Sequence, residues 1–199
     1  MKKVSLSYGS KVGMILVGLC FFLVFSLIYA QTTTKEDTTK APVSAKPKYI
    51  GSLVCKPCHN FEKKGKQYDI WAGSKHSTAY KTLANEQSKK IAAEKKIDDP
   101  LKSEKCLKCH AVGYVAKAEE KGLKYDINEG VSCEGCHGAG GKYMPNNVMK
   151  DPKLSKDAGL IMPTEKECKV CHNPESPTYK AFKFAEAWKI IAHSAPKVK

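Results

Sequence analysis

The sequence predicts a mostly α-helical fold with little β-structure, in which short helices and loops wrap around prosthetic groups instead of a large apolar core. Three observations lead there. The pattern Cys-x-x-Cys-His occurs four times, as Cys55-Lys56-Pro57-Cys58-His59, Cys106-Leu107-Lys108-Cys109-His110, Cys133-Glu134-Gly135-Cys136-His137 and Cys168-Lys169-Val170-Cys171-His172. Between the copies, apolar residues recur at helical spacing with caps and stops around them. A large share of the 42% hydrophobic content lies in residues 12–30, leaving the rest of the chain a modest store of Leu, Ile and Phe.

The motif explains how so small a core suffices. Thiols at i and i+3 lie on one side of a helical turn, where both can form thioethers with haem vinyl groups, and the histidine at i+4 rises under the iron. Eight of the nine cysteines belong to the four copies; the ninth, Cys20, lies in the N-terminal apolar run. Cys-x-x-Cys also serves zinc ribbons and thioredoxin-like sites. Zinc would require the motifs to pair into four-ligand sites, and it gives no reason for a histidine after every second cysteine. The expected cofactors are therefore four covalently attached haem c groups, with His59, His110, His137 and His172 as proximal ligands. The third copy sits in a glycine-rich run, residues 130–141, where missing side chains let a flat macrocycle approach the backbone.

In chain order, Met1-Lys2-Lys3 and Lys11 precede the apolar run of residues 12–30, which ends on Ala30. That is the layout of a secretory signal over residues 1–30. The run is also long enough to stay as an uncleaved membrane anchor, the one route to membrane contact read here. Leu19 before Cys20 does not suit a lipid-anchor signal. Either way the remainder is exported, with a periplasmic location expected. Residues 31–48, rich in Thr, Lys, Ala and Pro, read as a flexible tether, and residues 49–199 as one domain.

Tyr68 and Trp71 share a helical face after the first motif. Gly73-Ser74 marks a break, Ser74 can cap a second helix carrying His76, Ala79, Tyr80 and Leu83, and that helix continues towards Lys96 before Asp98-Asp99-Pro100 stops it. Val112 to Tyr114 and Leu123 to Ile127 alternate, which predicts a small hairpin around Lys121-Gly122. The third motif follows the second closely, so the two attachment points should be packed neighbours. Residues 142–161 read as irregular. Thr164 and Glu167 form a capping box for the fourth motif's helix. A last helix from near Tyr179 to near His193 presents Phe184, Trp188 and Ile191 on one face.

The formal charge of +14 comes from lysine, as the sequence has no arginine. Without arginine or an aromatic-basic motif, a nucleic-acid partner is excluded. Lysines beside haem edges would steer acidic redox partners; a solvated lysine surface is the simpler alternative.

The six histidines limit iron ligation. Four are proximal, leaving His76 and His193 as distal candidates on or beside amphipathic helices, so at most two haems can be bis-histidine. The other irons must take another donor or stay open. Met144 and Met149 lie in the loop after the third motif, where a chain can fold back over an iron. Lysine would first have to lose its proton.

These residues resemble the tetrahaem cytochrome c-554 family over most of residues 49–194. The resemblance is carried by Tyr49-Ile50-Gly51 before the first motif and by Trp71-Ala72-Gly73-Ser74-Lys75-His76-Ser77-Thr78-Ala79. Ala111-Val112-Gly113-Tyr114 after the second motif, the run 130–141, and the fourth motif with the helix through His193 complete it. It implies haems in stacked pairs, His76 as distal ligand at the fourth haem and His193 at the third. It also implies a five-coordinate iron at the second haem, on Cys106, Cys109 and His110, and an electron donor resembling hydroxylamine oxidoreductase. In one respect the chain departs from the family, which supplies a further distal histidine from the loop after the third motif. Residues 142–160 contain none, so Met149, Met144 or an open site is left for the first haem.

Three functions fit these readings. Electron transfer between redox-partner proteins leads. Reduction of nitric oxide, nitrite, hydroxylamine or peroxide at an open iron is the enzymatic alternative. A structural or sensory subunit is the third.

Overall fold

The computed structural model describes residues 46–194. The signal or anchor expected over residues 1–30 lies outside the described residues, as do residues 31–45 of the tether expected over 31–48 and residues 195–199. Among the described residues no helix is long and apolar enough to cross a membrane.

The described chain is a succession of short helices and turns, with one isolated β-bridge and no sheet. The helices are α1 (Ser52–His59), α2 (Gln67–Ala72), α3 (Ala79–Thr82), α4 (Glu86–Glu94), α5 (Glu104–His110), α6 (Cys133–His137), α7 (Asn146–Met149), α8 (Pro152–Asp157), α9 (Glu165–Lys169) and α10 (Phe184–Ile191). Short 3-10 turns lie at Glu62–Lys64, Lys75–Thr78, Ala118–Glu120 and Ile127–Glu129. The first three motifs close α1, α5 and α6. The fourth runs off the end of α9, where the N–H groups of Cys171 and His172 still donate to the Cys168 carbonyl, at 3.2 and 2.9 Å.

The capping box expected at the fourth motif is present. The Thr164 N–H donates to Glu167 Oε2 at 2.7 Å, and the Thr164 hydroxyl accepts from Lys166 N–H. Tyr68 and Trp71 meet edge-to-face, with centroids 5.4 Å apart.

Several expected elements take another form. The helix from Ser74 towards Lys96 is broken. Ser74 makes no capping bond, a 3-10 turn gives way to α3, and the chain stops at Leu83 before Asn85 accepts from Ser88 N–H at 2.8 Å and opens α4. The hairpin around Lys121-Gly122 does not form. Tyr49 takes that pairing, donating to the Glu120 carbonyl at 2.9 Å and accepting from Gly122 N–H at 2.8 Å, while Val112 N–H donates to the Gly130 carbonyl at 3.0 Å. Residues 142–161 contain α7 and α8. Asp151 caps α8 through Oδ1, with Pro152 in its first turn. The last helix begins at Phe184, not near Tyr179; residues 179–183 have no regular structure, and Lys183 before the helix is extended.

The core is small. Six hydrophobic side chains are buried among the described residues: Trp71, Leu83, Ala92, Leu107, Ala111 and Tyr143. Leu83, Leu107 and Ala111 form a cluster with Tyr80, Leu101, Tyr114 and Ile127 around them. Val115, Met162, Val170 and Ile190 are exposed. A folded unit of this length needs more buried apolar surface than that to offset its chain entropy. The polypeptide made without haem attachment should therefore lack a cooperative thermal transition by circular dichroism. A sharp melt of that apoprotein would show that the side-chain core is sufficient.

Candidate haem-binding cluster

The four motifs are brought together in an order that differs from their order in the chain. The first meets the third: the Cys55 thiol donates to the Gly51 carbonyl at 3.9 Å beside the Cys133 sulfur, and the interaction between the two sulfurs raises the Cys55 pKa, as does burial, while lowering that of Cys133. The second meets the fourth. The Cys171 thiol donates to the Lys108 carbonyl at 3.9 Å, beside Cys109; the interaction between the two sulfurs holds Cys109 down at about 7 and pushes Cys171 up. Lys108 reinforces that junction with an ion pair to Glu175 at 2.6 Å. The third and fourth meet where Cys168 lies within electrostatic reach of Cys136, whose pKa is raised to about 11, chiefly by burial. Spatially the motifs therefore run first, third, fourth, second. The expected close contact of second and third motifs is not among these sulfur junctions; those two segments touch through Val112 and the Val131–Gly135 stretch instead.

Both spare histidines face a motif histidine. The ring centroids of His76 and His172 are 6.1 Å apart, and those of His137 and His193 6.0 Å, with interplanar angles of 81° and 62°. Two metal–imidazole bonds of about 2 Å each, with a ring radius of roughly 1 Å on either side, require about 6 Å between centroids. Each pair could hold one iron between its rings. His172 also stacks on Phe182 at 4.7 Å.

Backbone carbonyls set several of these rings. Nδ1 of His110 donates to the Ala79 carbonyl at 2.8 Å, that of His137 to Ile161 at 2.9 Å and that of His193 to Ile191 at 2.8 Å. A carbonyl only accepts, so Nδ1 carries the proton and Nε2 presents its lone pair. Burial is the main cause of lowered pKa values at His59, His76, His137 and His172, which favours the neutral imidazole that binds metal. His59 lies close enough to His137 and His193 for their charge to depress it further. Met149 is half-buried at the end of α7, and Met144 is 43% exposed before it.

The His76 segment is fixed by residues just before the third motif. Val131 N–H donates to the His76 carbonyl at 2.9 Å, and Val131's own carbonyl accepts from the indole N–H of buried Trp71 at 2.8 Å. Gly130 makes this approach feasible: its φ is +64°, and a Cβ there would lie 2.7 Å from the His76 oxygen.

Two carboxylates absent from the sequence-based expectations hold the first and third motifs together. Glu134, buried inside the third motif, accepts from Ile50 N–H at 2.9 Å, Gly51 N–H at 2.9 Å and Gly140 N–H at 2.7 Å. Glu129 accepts from Ser52 N–H at 2.7 Å, and burial is the main cause of its raised pKa. Together they satisfy donors at the start of α1, whose cap residue Gly51 has no side chain to do so. The signal for Glu134 was its position: an acid between two cysteines, in a glycine-rich run.

The donor set fits haem c: paired thiols on single helical turns, each followed by an imidazole, with two further imidazoles placed opposite. Among the described residues no three His, Cys, Asp or Glu side chains converge on one position.

Residues 54–138 match the family model described as cytochrome c554 and c-prime. Over that span the chain is similar to the family. The matched span holds the first three motifs; the fourth lies beyond it. Over 183 residues the chain is 26% identical to cytochrome c-554 of Nitrosomonas europaea, spanning 81% of this chain and 71% of that protein. A solved structure of reduced cytochrome c554 from the same organism is 24% identical and covers 73% of this chain and 79% of that one, with a TM-score of 0.46.

Removing the Glu134 carboxylate would leave buried N–H groups unpaired. Glu134→Ala should lower the unfolding free energy of the holoprotein by about 3 kcal/mol, as expected when several charge-assisted bonds are lost together. Glu134→Gln, which keeps one acceptor oxygen, should fall between. Denaturant titration checks both, and an Ala variant as stable as the parent would remove Glu134 from this role.

Proposed function

We propose that this chain is an exported cytochrome c554-like electron carrier holding four haem c groups, and that it passes electrons between redox-partner proteins. The observation that carries the reading is the pairing of both spare histidines with motif histidines at 6.0–6.1 Å, in a chain where every motif carries its own thiols and imidazole. Haem supplies reversible one-electron chemistry at iron, with a potential set by its axial ligands and surroundings. The chain's own residues attach, orient and insulate. Cys55, Cys58, Cys106, Cys109, Cys133, Cys136, Cys168 and Cys171 would form the thioethers. His59, His110, His137 and His172 would be proximal ligands, with His76 opposite His172 and His193 opposite His137. The adjacency of the motifs supports one connected route across the cluster. Redox partners follow from this role; a hydroxylamine-oxidoreductase-like donor is the more specific form of the proposal. Export rests on the N-terminal sequence, and membrane attachment on retention of residues 12–30.

The imidazole count favours a second reading beside it. Six histidines serve two irons fully and leave those of the first and second motifs without a distal imidazole. Met149 or Met144 would complete the first, or both sites would be open to nitric oxide, nitrite, hydroxylamine or peroxide. Steady-state reduction of these molecules by the pre-reduced protein tests it, and turnover no faster than free haem removes it.

The main proposal is tested by mass and by spin state. Intact mass should exceed that of the polypeptide by four haems. Low-temperature electron paramagnetic resonance of the oxidised protein should show two bis-imidazole low-spin haems, with His76→Ala and His193→Ala each abolishing a different one. A mass matching bare polypeptide, or spectra indifferent to both substitutions, would refute the assignment.

A further inference from the structure

The segment after the first motif forms a surface hollow of about 600 Å³ lined by Asn60, Phe61, Glu62, Lys63, Lys64 and Lys66. Three features set it apart. Phe61 is 59% exposed, so the hollow presents a large apolar ring to solvent. Its cations outnumber its one acid. Lys66 is paired with Glu62 at 3.0 Å, while Lys63 and Lys64 are exposed and form no ion pair among the described residues. The third feature is the attachment point beside it: Cys58 is exposed, whereas the other seven motif cysteines are half-buried. A group attached there would have an edge at the surface, and Lys64 is near enough for its charge to act on His59.

We propose that this hollow docks the acidic face of a redox-partner protein, with Phe61 as the apolar contact and Lys63 and Lys64 as the steering charges. The inference rests on the electron-carrier reading and adds the place where electrons enter or leave. An apolar centre rimmed by unpaired charge of one sign suits a transient complex. The charges accelerate encounter with an oppositely charged surface, and the ring excludes water from the contact while the complex lasts. Lys56, with its ammonium held 5.0 Å above the Tyr68 ring, extends the positive field on the same motif.

The test uses the full holoprotein and reduced flavodoxin, a strongly acidic one-electron donor, in stopped flow over a range of salt concentrations. Lys63→Glu combined with Lys64→Glu should lower the second-order rate constant about tenfold at low salt and flatten its salt dependence. Reversal of Lys90 and Lys95, exposed on and just after α4, changes the net charge equally and should lower the rate less than twofold. Phe61→Ser should slow the reaction at every salt concentration while leaving the salt slope unchanged. Equal losses from the two double reversals, or an unaffected rate in the first, would overturn the docking site. Reduction by dithionite separates the underlying reading: if the parent protein takes up no electrons from dithionite, electron carriage itself fails, whatever the variants do.

Discussion

The Glu134 carboxylate ties the chain together. It sits between the cysteines of the third motif and accepts from the backbone at both ends of the folded unit's first loop closure: Ile50 and Gly51 at the start of α1, and Gly140 just beyond α6. Short helices of this kind bury little and would not hold their places by packing alone. A buried anion satisfying several N–H donors supplies position at the level of single atoms, and it does so where the thiols of two motifs face each other. Glu129 repeats the device one turn away on Ser52.

From that junction the placement of the other groups follows in steps. The Gly130–Val131 stretch leading into α6 also grips the His76 carbonyl and the Trp71 indole, so the segment that builds the third motif positions a ring opposite the fourth. The Ile161 carbonyl on the far side of α8 orients His137, and the end of α10 brings His193 to it. The His76 segment is held by Val131 and the His137 ring by Ile161, in each case by backbone from elsewhere in the chain. This is how a chain with few buried side chains specifies a cluster.

Much of the cluster was legible in the sequence because its grammar is local. Cys-x-x-Cys-His, the Thr164–Glu167 box and the Tyr68–Trp71 face are set within one or two helical turns, and all three are present as read. The assignment of His76 to the fourth motif and His193 to the third came from family resemblance, not from any local pattern in the sequence. What escaped depended on partners far along the chain. Leu123 to Ile127 alternates like a strand, yet Tyr49 had already claimed the hydrogen bonds at Gly122. Glu134 has its role only through Ile50 and Gly51, 84 and 83 positions upstream. The break at Asn85 and the start of α8 at Asp151-Pro152 were local signals within reach of the same rules.

The interleaving of the motifs bears on how such a protein is made. Ser52 and Cys133 are hydrogen-bonded neighbours 81 positions apart, so the surroundings of the first attachment point are incomplete until the third has been synthesised. The second waits in the same way for the fourth. The native arrangement therefore closes only when the last quarter of the chain arrives, and until then the first two motifs belong to an open chain.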